Sequence, residues 1–428
     1  MPEELLQFIW ENRLFETENL FTTGGQPVEI IDTGKRNSNA GPDFFNARIK
    51  IDGTVWVGNV EVHRTSGDWN RHNHQTDAAY NNVILHVVGF ADSAVFRQNG
   101  EEVPELVLKF PDYLIENYQT LISSKSWIPC SEKFHKIDPF VLQMGFNRLM
   151  IERLEDKTAE ILTRLKQNNN DWNETFYQEL ARSFGFKVNS LPFEMLAKSL
   201  PLSILAKHKN NLFQTEALLF GSSGLLNEQL LGDDYFLALR NEYSFLYKKY
   251  NLKPIESHLW KFLRLRPVNF PTIRISQFAA LVCQSKSLFS KITETPDLEG
   301  LQKLFKVKAS DYWNAHFNFN KHSKQIVSKE IGIDSVNILI INVVVPFLFV
   351  YGEIQGKEYL KNRSLEFLEK LPAENNSVVG KWEKLGVVAR SAFESQALLQ
   401  LKNRYCENKK CLNCHIGVKL VKATGANQ

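Results

Sequence analysis

The sequence predicts an α/β core at the N-terminal end, a mainly α-helical domain after it, and a short cysteine-rich segment at the C-terminal end. Valine-rich runs of alternating polarity lie before residue 90, and apolar residues at helical spacing dominate from Asp138 onwards. Three of the five cysteines lie between residues 406 and 414. The change of pattern near residues 125–137 predicts domains at 1–130, 137–400 and 401–428.

Local patterns give each element of the α/β core in turn. Apolar residues three to four positions apart predict a first amphipathic helix. Asp52-Gly53 is a strong turn signal between two strand-like runs, which predicts a β-hairpin. A later uninterrupted apolar run suits a strand that is buried on both faces. The predicted elements are a helix at 2–15, strands at 27–31, 47–51 and 54–63, a short helix at 74–81 and a strand at 83–88.

Helical signals then run through the rest of the chain. Asp138-Pro139 is a good helix start, and the apolar stripe that follows continues to a break at residues 168–170. Asp171 opens a second helix, which is predicted to end near Gly185. Residues 338–351 are the most apolar run, but Asn342 and Pro346 interrupt it, so a buried element is expected and no membrane segment.

Composition limits the classes of partner. A net charge of +3 and a pI near 8.4 allow a nucleic-acid partner only through a local basic surface. Residues 1–15 mix acidic with apolar side chains, unlike a secretory signal, and the cysteine pattern suits a reducing compartment. The sequence therefore predicts a cytoplasmic protein.

The second hairpin strand carries the chemistry. Because side chains alternate along a strand, Asn59, Glu61 and His63 share one face, and Val60 and Val62 share the other. A carboxylate and an imidazole therefore lie side by side above an apolar underside. Both groups can bind a metal ion.

The hairpin register decides whether Asp43 joins this face. A three-residue loop would place Asp43 opposite Glu61, whereas a two-residue loop would place it one step off. Pro42 indicates that the first strand begins or bends there. We therefore expect Asp43 at the strand entry, close to Glu61, with a bend that absorbs any mismatch.

Gly41-Pro42-Asp43, the hairpin and Glu61-Val62-His63 together resemble the active-site signature of the PD-(D/E)XK nuclease superfamily. The resemblance implies a restriction-endonuclease-like core, in which a mixed sheet is flanked by helices and Asp43 and Glu61 bind Mg²⁺. His63 departs from the family pattern, which has a lysine there to assist the attacking water. An imidazole can bind a metal or polarise water, but it lacks lysine's permanent charge.

The same resemblance suggests supporting residues. The superfamily often supplies an acidic residue from its first helix, and Glu11 could serve, although a solvated surface glutamate is the alternative. Gln75 and Tyr80 resemble the Gln and Tyr that hold the site in RecB-like members, but they are five residues apart where four is expected. The chain is also similar, over nearly its full length, to a bacterial family known as a domain of unknown function.

Several other residues have two readings. His72 and His74 could bind a phosphate or metal, or simply face solvent, and His86 reads as a satisfied core residue. Trp69 either anchors its loop or stacks on a base. The segment from Trp260 through Arg264 and Arg266 to Arg274 could follow a phosphate backbone. Alternatively, it is a helix that buries Trp260, Phe262 and Leu263 beneath solvated arginines. These candidates for nucleic-acid contact are Arg264, Arg266, Arg274 and Trp69.

The C-terminal cysteines predict a structural metal site. Cys406, Cys411 and Cys414 have the spacing C-x4-C-x2-C and need a fourth ligand, either the adjacent His415 or the remote Cys130. Some nucleases of the resembled superfamily hold an iron–sulfur cluster with one remote and three C-terminal cysteines, although their spacing differs. Zinc and an iron–sulfur cluster both remain open, as do three free thiols.

The sequence thus predicts a metal-dependent phosphodiesterase that acts on DNA or RNA. Asp43 and Glu61 would hold Mg²⁺ or Mn²⁺, and His63 would orient or deprotonate a water; the histidine also admits Zn²⁺. A hydrolase for another phosphate ester is a further reading. The alternative from a different class is a catalytically inactive nucleic-acid-binding or scaffold protein with the same fold.

Overall fold

The computed structural model describes residues 1–227, 232–284 and 287–424, so residues 425–428 of the predicted cysteine-rich segment lie outside it. The chain divides into two compact units, one formed by residues 1–145 with 401–428 and the other by residues 146–400. The division therefore groups the cysteine-rich end with the N-terminal core, whereas the sequence analysis treats it as a separate segment.

The first unit is built on a mixed sheet. Its strands are β1 (Leu20–Phe21), β2 (Pro27–Asp32), β3 (Lys35–Arg36), β4 (Phe44–Ile51), β5 (Thr54–Thr65), β6 (Val83–Phe90) and β7 (Glu105–Val107). They are ordered β1-β2-β4-β5-β6-β7, with β3 also paired to β4; β1 to β5 pair antiparallel, and β5, β6 and β7 pair in parallel. The predicted α/β class is confirmed at this level.

Strand β6 is the centre of the parallel part. Its first six residues are all buried, as its continuous apolar run predicts for a strand covered on both faces. A parallel pair needs a long crossover, and residues 66–82 supply it between β5 and β6. The crossover contains α2 (Asp68–Arg71) and two single 3₁₀ turns, His74–Thr76 and Ala78–Tyr80, in place of the predicted helix at 74–81.

The β4–β5 hairpin contains the predicted bend. Ile51 pairs with Thr54 across the two-residue loop Asp52-Gly53, in which both residues have positive φ. The register then shifts by one residue between Phe44 and Ala47, where Asn46 has a φ of 56°. This bulge places Asp43 level with Glu61, although the loop length alone would put it one step off.

The remaining elements of the first unit are helical. α1 runs over Glu3–Glu11 and buries its apolar stripe, as predicted. α3 (Tyr113–Ser123) follows the sheet, and α18 (His415–Lys422) is the last helix among the described residues. α4 (Pro139–Gln167) starts at the predicted proline and contains the boundary between the units.

The second unit is mainly helical, as predicted. Asp171 caps its helix by accepting hydrogen bonds from the N–H groups of Asn173 and Glu174, and the helix ends before Gly185. Among the described residues of this unit, the strands are β8 (His316–Asn318) and β9 (Lys321–His322). The helices are α5 (Trp172–Phe184), α6 (Ser190–Ser199), α7 (Leu202–His208), α8 (Leu212–Ser222), α9 (Asp234–Tyr250), α10 (Pro271–Gln284), α11 (Leu288–Glu294), α12 (Leu298–Phe305), α13 (Ile333–Leu339), α14 (Val345–Ile354), α15 (Glu358–Lys370), α16 (Ser377–Lys384) and α17 (Ala392–Gln400).

The most apolar segment forms one long helix. α13, a π-helical stretch at Ile340–Val344 and α14 run together over Ile333–Ile354, long and apolar enough to cross a membrane by length and composition. Its apolar window is 72% buried, which is typical of a core helix. Pro346 lacks the N–H for the regular helical bond, and the π-helical stretch beside it accommodates that defect without ending the helix.

Candidate metal centre

Two carboxylates interlock where β4 meets β5. The backbone N–H of Asp43 donates to Glu61 Oε2 at 3.0 Å, and the N–H of Val62 donates to Asp43 Oδ2 at 3.1 Å. Glu61 is buried, with 5% of its surface exposed. The pair predicted from the sequence thus lies together, because each carboxylate accepts a backbone hydrogen bond from the segment that carries the other.

Three histidines cluster beside Glu61, and two of them contact its carboxylate. His63 Nε2 lies 3.1 Å from His72 Nδ1 and 3.4 Å from Glu61 Oε1, and His74 Nε2 lies 3.2 Å from the same carboxylate oxygen. The ligand atoms of His63, His72 and His74 all lie within 4.8 Å of one another. His63 and His74 are buried, whereas His72 is exposed and opens the cluster to solvent.

These side chains meet because of the crossover. Glu61 and His63 are two positions apart on one face of β5. The chain leaves β5, crosses above that face and returns as β6, which brings His72 and His74 over the strand. Trp69 anchors the crossover: it is fully buried, and its indole N–H donates to the Phe96 carbonyl oxygen at 3.0 Å. Trp69 therefore offers no free face for a nucleic-acid base.

A second layer orients His63. His86, its neighbour on β6, places Nε2 2.9 Å from His63 Nδ1. Glu105 on β7 places Oε2 3.1 Å from His86 Nδ1, although the two atoms are not aligned as a hydrogen bond. We assign the tautomers from these neighbours: His86 carries its proton on Nδ1, towards Glu105, and His63 carries its proton on Nδ1, towards His86. The lone pair of His63 Nε2 then faces His72 and Glu61.

Helix α1 supplies Glu3 and Gln7 to the centre. The Gln7 amide donates to Asp43 Oδ1 at 2.9 Å, and Glu3 interacts electrostatically with Asp43, His72 and His74. Glu11, which the sequence analysis considered as either a site residue or a solvated surface glutamate, lies two turns beyond Glu3 and pairs with Arg36 at 3.4 Å. The helix periodicity explains this, because residues 3, 7 and 11 form one stripe and its N-terminal end lies nearest the strand entry.

Tyr80 and Gln75 have different positions. The Tyr80 ring stacks on His74 with 3.7 Å between centroids and an interplanar angle of 20°. Burial, with the charges of Glu61 and Asp43, raises the pKa of Tyr80 to about 12, so the phenol stays neutral. The side-chain oxygen of Gln75 is buried and accepts no hydrogen bond from any described residue. Tyr80 thus supports the centre, and the Gln75 oxygen is not part of its hydrogen-bond network.

Burial sets the protonation of the cluster. It raises the pKa of Glu61 to about 8, and burial together with the charge of Glu61 raises the pKa of Asp43 to about 7. Burial, reinforced by the neighbouring histidines and Arg71, lowers the pKa of His63 to about 2. Burial also lowers the pKa of His74. His63 is therefore a neutral imidazole at physiological pH, the form that binds metals.

The spacing of the ligand atoms fits a transition metal. A metal bound to imidazole nitrogen at about 2.1 Å sets neighbouring ligand atoms about 3.0 Å apart in an octahedron and about 3.4 Å apart in a tetrahedron. The three separations around His63 Nε2 and Glu61 Oε1 are 3.1, 3.2 and 3.4 Å. His74 Nε2 is buried without a hydrogen-bond partner, so it has a lone pair or proton to satisfy.

The predicted arginine surface divides into two environments. Arg264 and Arg266 are exposed in an irregular stretch between two 3₁₀ turns, where Leu263 is 83% exposed, so the alternative of a helix that buries Leu263 is corrected. Arg274 is buried: its guanidinium donates to Gln277 at 3.0 Å and to Asn269 at 2.7 Å. Arg274 is thus occupied inside the second unit and cannot contact a phosphate backbone.

Fold and centre together describe a protein with a mixed-sheet unit that carries a candidate histidine and carboxylate metal centre. The profile of a family described as "Protein of unknown function (DUF2851)" matches residues 3–377, and the chain belongs to that family. The match includes every residue of the candidate centre but ends before Cys406. Searches of curated proteins and of solved structures found no match.

Proposed function

We propose that this protein is a metal-dependent phosphodiesterase whose metal is held by His63, His72 and His74 with Glu61. The observation that carries the proposal is the clustering of three imidazoles, two of which contact a carboxylate at coordination spacing. This ligand set favours Mn²⁺ or Zn²⁺ over Mg²⁺, because imidazole nitrogen suits the transition metals whereas Mg²⁺ prefers oxygen ligands. The resemblance to the PD-(D/E)XK hairpin is a second, weaker support.

A metal at this centre would polarise a water molecule and neutralise charge on a phosphate. The protein's own groups have separate roles. His63 is kept neutral by burial and is oriented through His86 and Glu105, an arrangement that fixes metal-ligating histidines in many proteins. Asp43 lies beside the ligand set with a pKa raised to about 7, which suits a group that exchanges a proton near neutral pH.

Two exposed arginines flank the centre and would bind phosphate. Arg36 interacts electrostatically with Asp43, and its guanidinium also donates to Gln7 Oε1 at 2.8 Å. Arg71 interacts electrostatically with His63 and is ion-paired with Asp68. The Arg71 side chain is 70% exposed and that of Arg36 is 32% exposed. Both guanidiniums could exchange these partners for the phosphate oxygens of a DNA or RNA strand.

The test is cleavage of labelled single-stranded and double-stranded DNA and RNA in the presence of Mn²⁺, Zn²⁺ or Mg²⁺. We expect cleavage with Mn²⁺ or Zn²⁺ that is lost in Asp43→Asn, Glu61→Gln and His72→Ala. The matched control is His135→Ala, which removes an exposed histidine of the same unit outside the centre. Binding without cleavage under all conditions would contradict the proposal and favour the inactive nucleic-acid-binding or scaffold alternative.

A further inference from the structure

Four of the five cysteines lie at the ends of short helical segments. Cys406 is the last residue of a π-helical stretch, Leu401–Cys406, and Cys411 begins the 3₁₀ turn Cys411–Asn413. Cys414 is the N-cap of α18, and Cys130 is the N-cap of another 3₁₀ turn, Ser131–Lys136. Cys130, Cys411 and Cys414 are buried and Cys406 is half-buried, and none is in a disulfide.

The segment that contains Cys130 and the C-terminal segment are held together by hydrogen bonds and a cation–π contact. Asn117 of α3 donates to the carbonyl oxygen of Ala423 at 2.9 Å and accepts a hydrogen bond from Lys133 at 3.2 Å. The Lys402 ammonium lies 5.5 Å from the centre of the Trp127 ring. These contacts tie residues on both sides of Cys130 to residues on both sides of the other three cysteines.

All six pairs of these sulfurs interact electrostatically. Cys130 interacts with Cys411 and Cys414, Cys406 interacts with all three others, and Cys411 interacts with Cys414. Burial and this mutual repulsion raise the pKa of Cys130 and Cys411 to about 12. Buried thiols that disfavour ionisation by themselves become thiolates when a cationic centre lies among them.

His415 is not needed as the fourth ligand. Its imidazole packs on α4 at Gly145, where an added Cβ would lie 2.2 Å from the ring. Gly417 lets α18 approach the cysteines closely, because a Cβ there would lie 2.2 Å from the carbonyl oxygen of Cys411. The close packing of α18 therefore positions Cys414 beside Cys411, while the imidazole of the next residue lies against α4.

The sulfur spacing favours a cluster over one ion. Four thiolates around a single zinc at about 2.3 Å would lie about 3.8 Å apart. Among the described residues, the group whose ligand atoms all lie within 4.8 Å of one another is the histidine set, and no three of the cysteines form such a group. The spacing Cys406-x4-Cys411-x2-Cys414 with one remote cysteine is also a ligand pattern of iron–sulfur proteins.

We propose that Cys130, Cys406, Cys411 and Cys414 bind an iron–sulfur cluster that joins the C-terminal segment to the α/β unit. The cluster would cross-link residues far apart in the sequence, and its four thiolates come from the turns that the unit already holds together. The proposal is independent of the phosphodiesterase centre, which shares no residue with it.

The experiment is metal and sulfide analysis of the full-length protein purified without oxygen. We expect iron and acid-labile sulfide in equal amounts, with a broad visible absorption that dithionite bleaches. Cys130→Ala should lose the absorption and the sulfide, whereas Cys283→Ala should keep both. Cys283 is the matched control because it lies in the other unit, with its sulfur 3.2 Å from Thr215 Oγ1.

The wild-type result decides the proposal even if Cys130→Ala does not fold. Stoichiometric zinc without labile sulfide would overturn it, and so would a folded wild-type protein that holds neither metal nor sulfide. Full retention of sulfide in a folded Cys130→Ala protein would exclude Cys130 and overturn the assigned ligand set. His415→Ala should retain the cluster, and His72→Ala should retain it as well, which separates this site from the histidine centre.

Discussion

Replacing Glu61 by glutamine should make the metal-free protein less sensitive to pH. Glutamine keeps an oxygen that can accept the Asp43 N–H, so the hydrogen bond that joins the strands survives. It removes the charge, however, and with it the cost of ionising a carboxyl that has only 5% of its surface exposed. The variant therefore isolates the electrostatic part of the site with little change of shape.

The sign follows from the direction of the pKa change. Burial raises the pKa of Glu61 from 4.5 to about 8, so the folded state holds a proton that the unfolded state releases between these two values. The stability of the metal-free protein is then highest below pH 4.5 as far as Glu61 is concerned, and it falls as pH rises to about 8. Since one pKa unit corresponds to about 1.4 kcal/mol, the loss is at most about 5 kcal/mol.

The assay is hydrogen exchange of the β5 amides, measured by mass spectrometry in the presence of a chelator. Local exchange is preferable to a global unfolding curve because the chain has two compact units and need not unfold in one step. After correction for intrinsic exchange, wild-type β5 should lose protection by a few kcal/mol between about pH 5 and pH 8. Glu61→Gln should lose less, because only the raised pKa of Asp43 then contributes to the loss.

Glu29→Gln is the control for this experiment. Glu29 lies on β2 of the same sheet, but its side chain is 68% exposed, so its ionisation costs little. Its exchange profile should match that of the wild type. Equal loss of protection in wild type and Glu61→Gln would refute the view that Glu61 is held against ionisation by burial.

Other changes have separate outcomes. Glu105→Gln should weaken Mn²⁺ binding about 10-fold to 100-fold in a calorimetric titration, because Glu105 orients His86 and through it His63, whereas unchanged affinity would remove this second layer from the account. Trp69→Ala should lower the free energy of opening of β5 by about 3–5 kcal/mol in the same hydrogen-exchange assay, because the ring is fully buried; a loss below about 1 kcal/mol would contradict its role as an anchor. Arg274→Met should leave nucleic-acid affinity unchanged in a fluorescence-anisotropy titration, and a marked loss without unfolding would show that the guanidinium is accessible after all.

The sequence predicted the carboxylate pair because both causes of its geometry are local. Alternation along β5 fixes the face of Glu61, and Pro42 with the turn signal fixes where the first strand starts. The position of the bulge was not predictable, because the positive φ of Asn46 depends on tertiary packing around that residue. Only the requirement for some bend could be argued in advance.

Local sequence patterns could not predict the histidine cluster. His72 and His74 lie in a polar crossover, where solvent-facing histidines are common, and their meeting with His63 depends on how the chain passes between β5 and β6. One sequence signal could have indicated the cluster: a predicted parallel crossover that follows a strand with polar residues on one face. Glu3 was missed in a similar way. The apolar and polar periodicity of a helix indicates which residues share a face, but it does not indicate which end of that helix lies at the site.

The helical unit shows the same contrast. The boundaries of its first helices were predictable from the sequence, because Pro139, Asp171 and Gly185 act on the backbone next to them. The burial of Arg274 was not predictable, because a buried guanidinium needs hydrogen-bond acceptors that are distant in the sequence, such as Ser335 at 3.1 Å. Interleaved basic and aromatic residues therefore describe an interior as easily as a nucleic-acid surface.

The most direct test of the central claim is a Mn²⁺ titration followed by electron paramagnetic resonance, which detects the free aqueous ion. The wild-type protein should remove one equivalent of the free-ion signal. His72→Ala and Glu61→Gln should leave most of that signal in place, and His135→Ala should behave as the wild type. If His72→Ala and Glu61→Gln bind Mn²⁺ as tightly as the wild type, or if the wild type binds none, His63, His72, His74 and Glu61 do not form the metal centre.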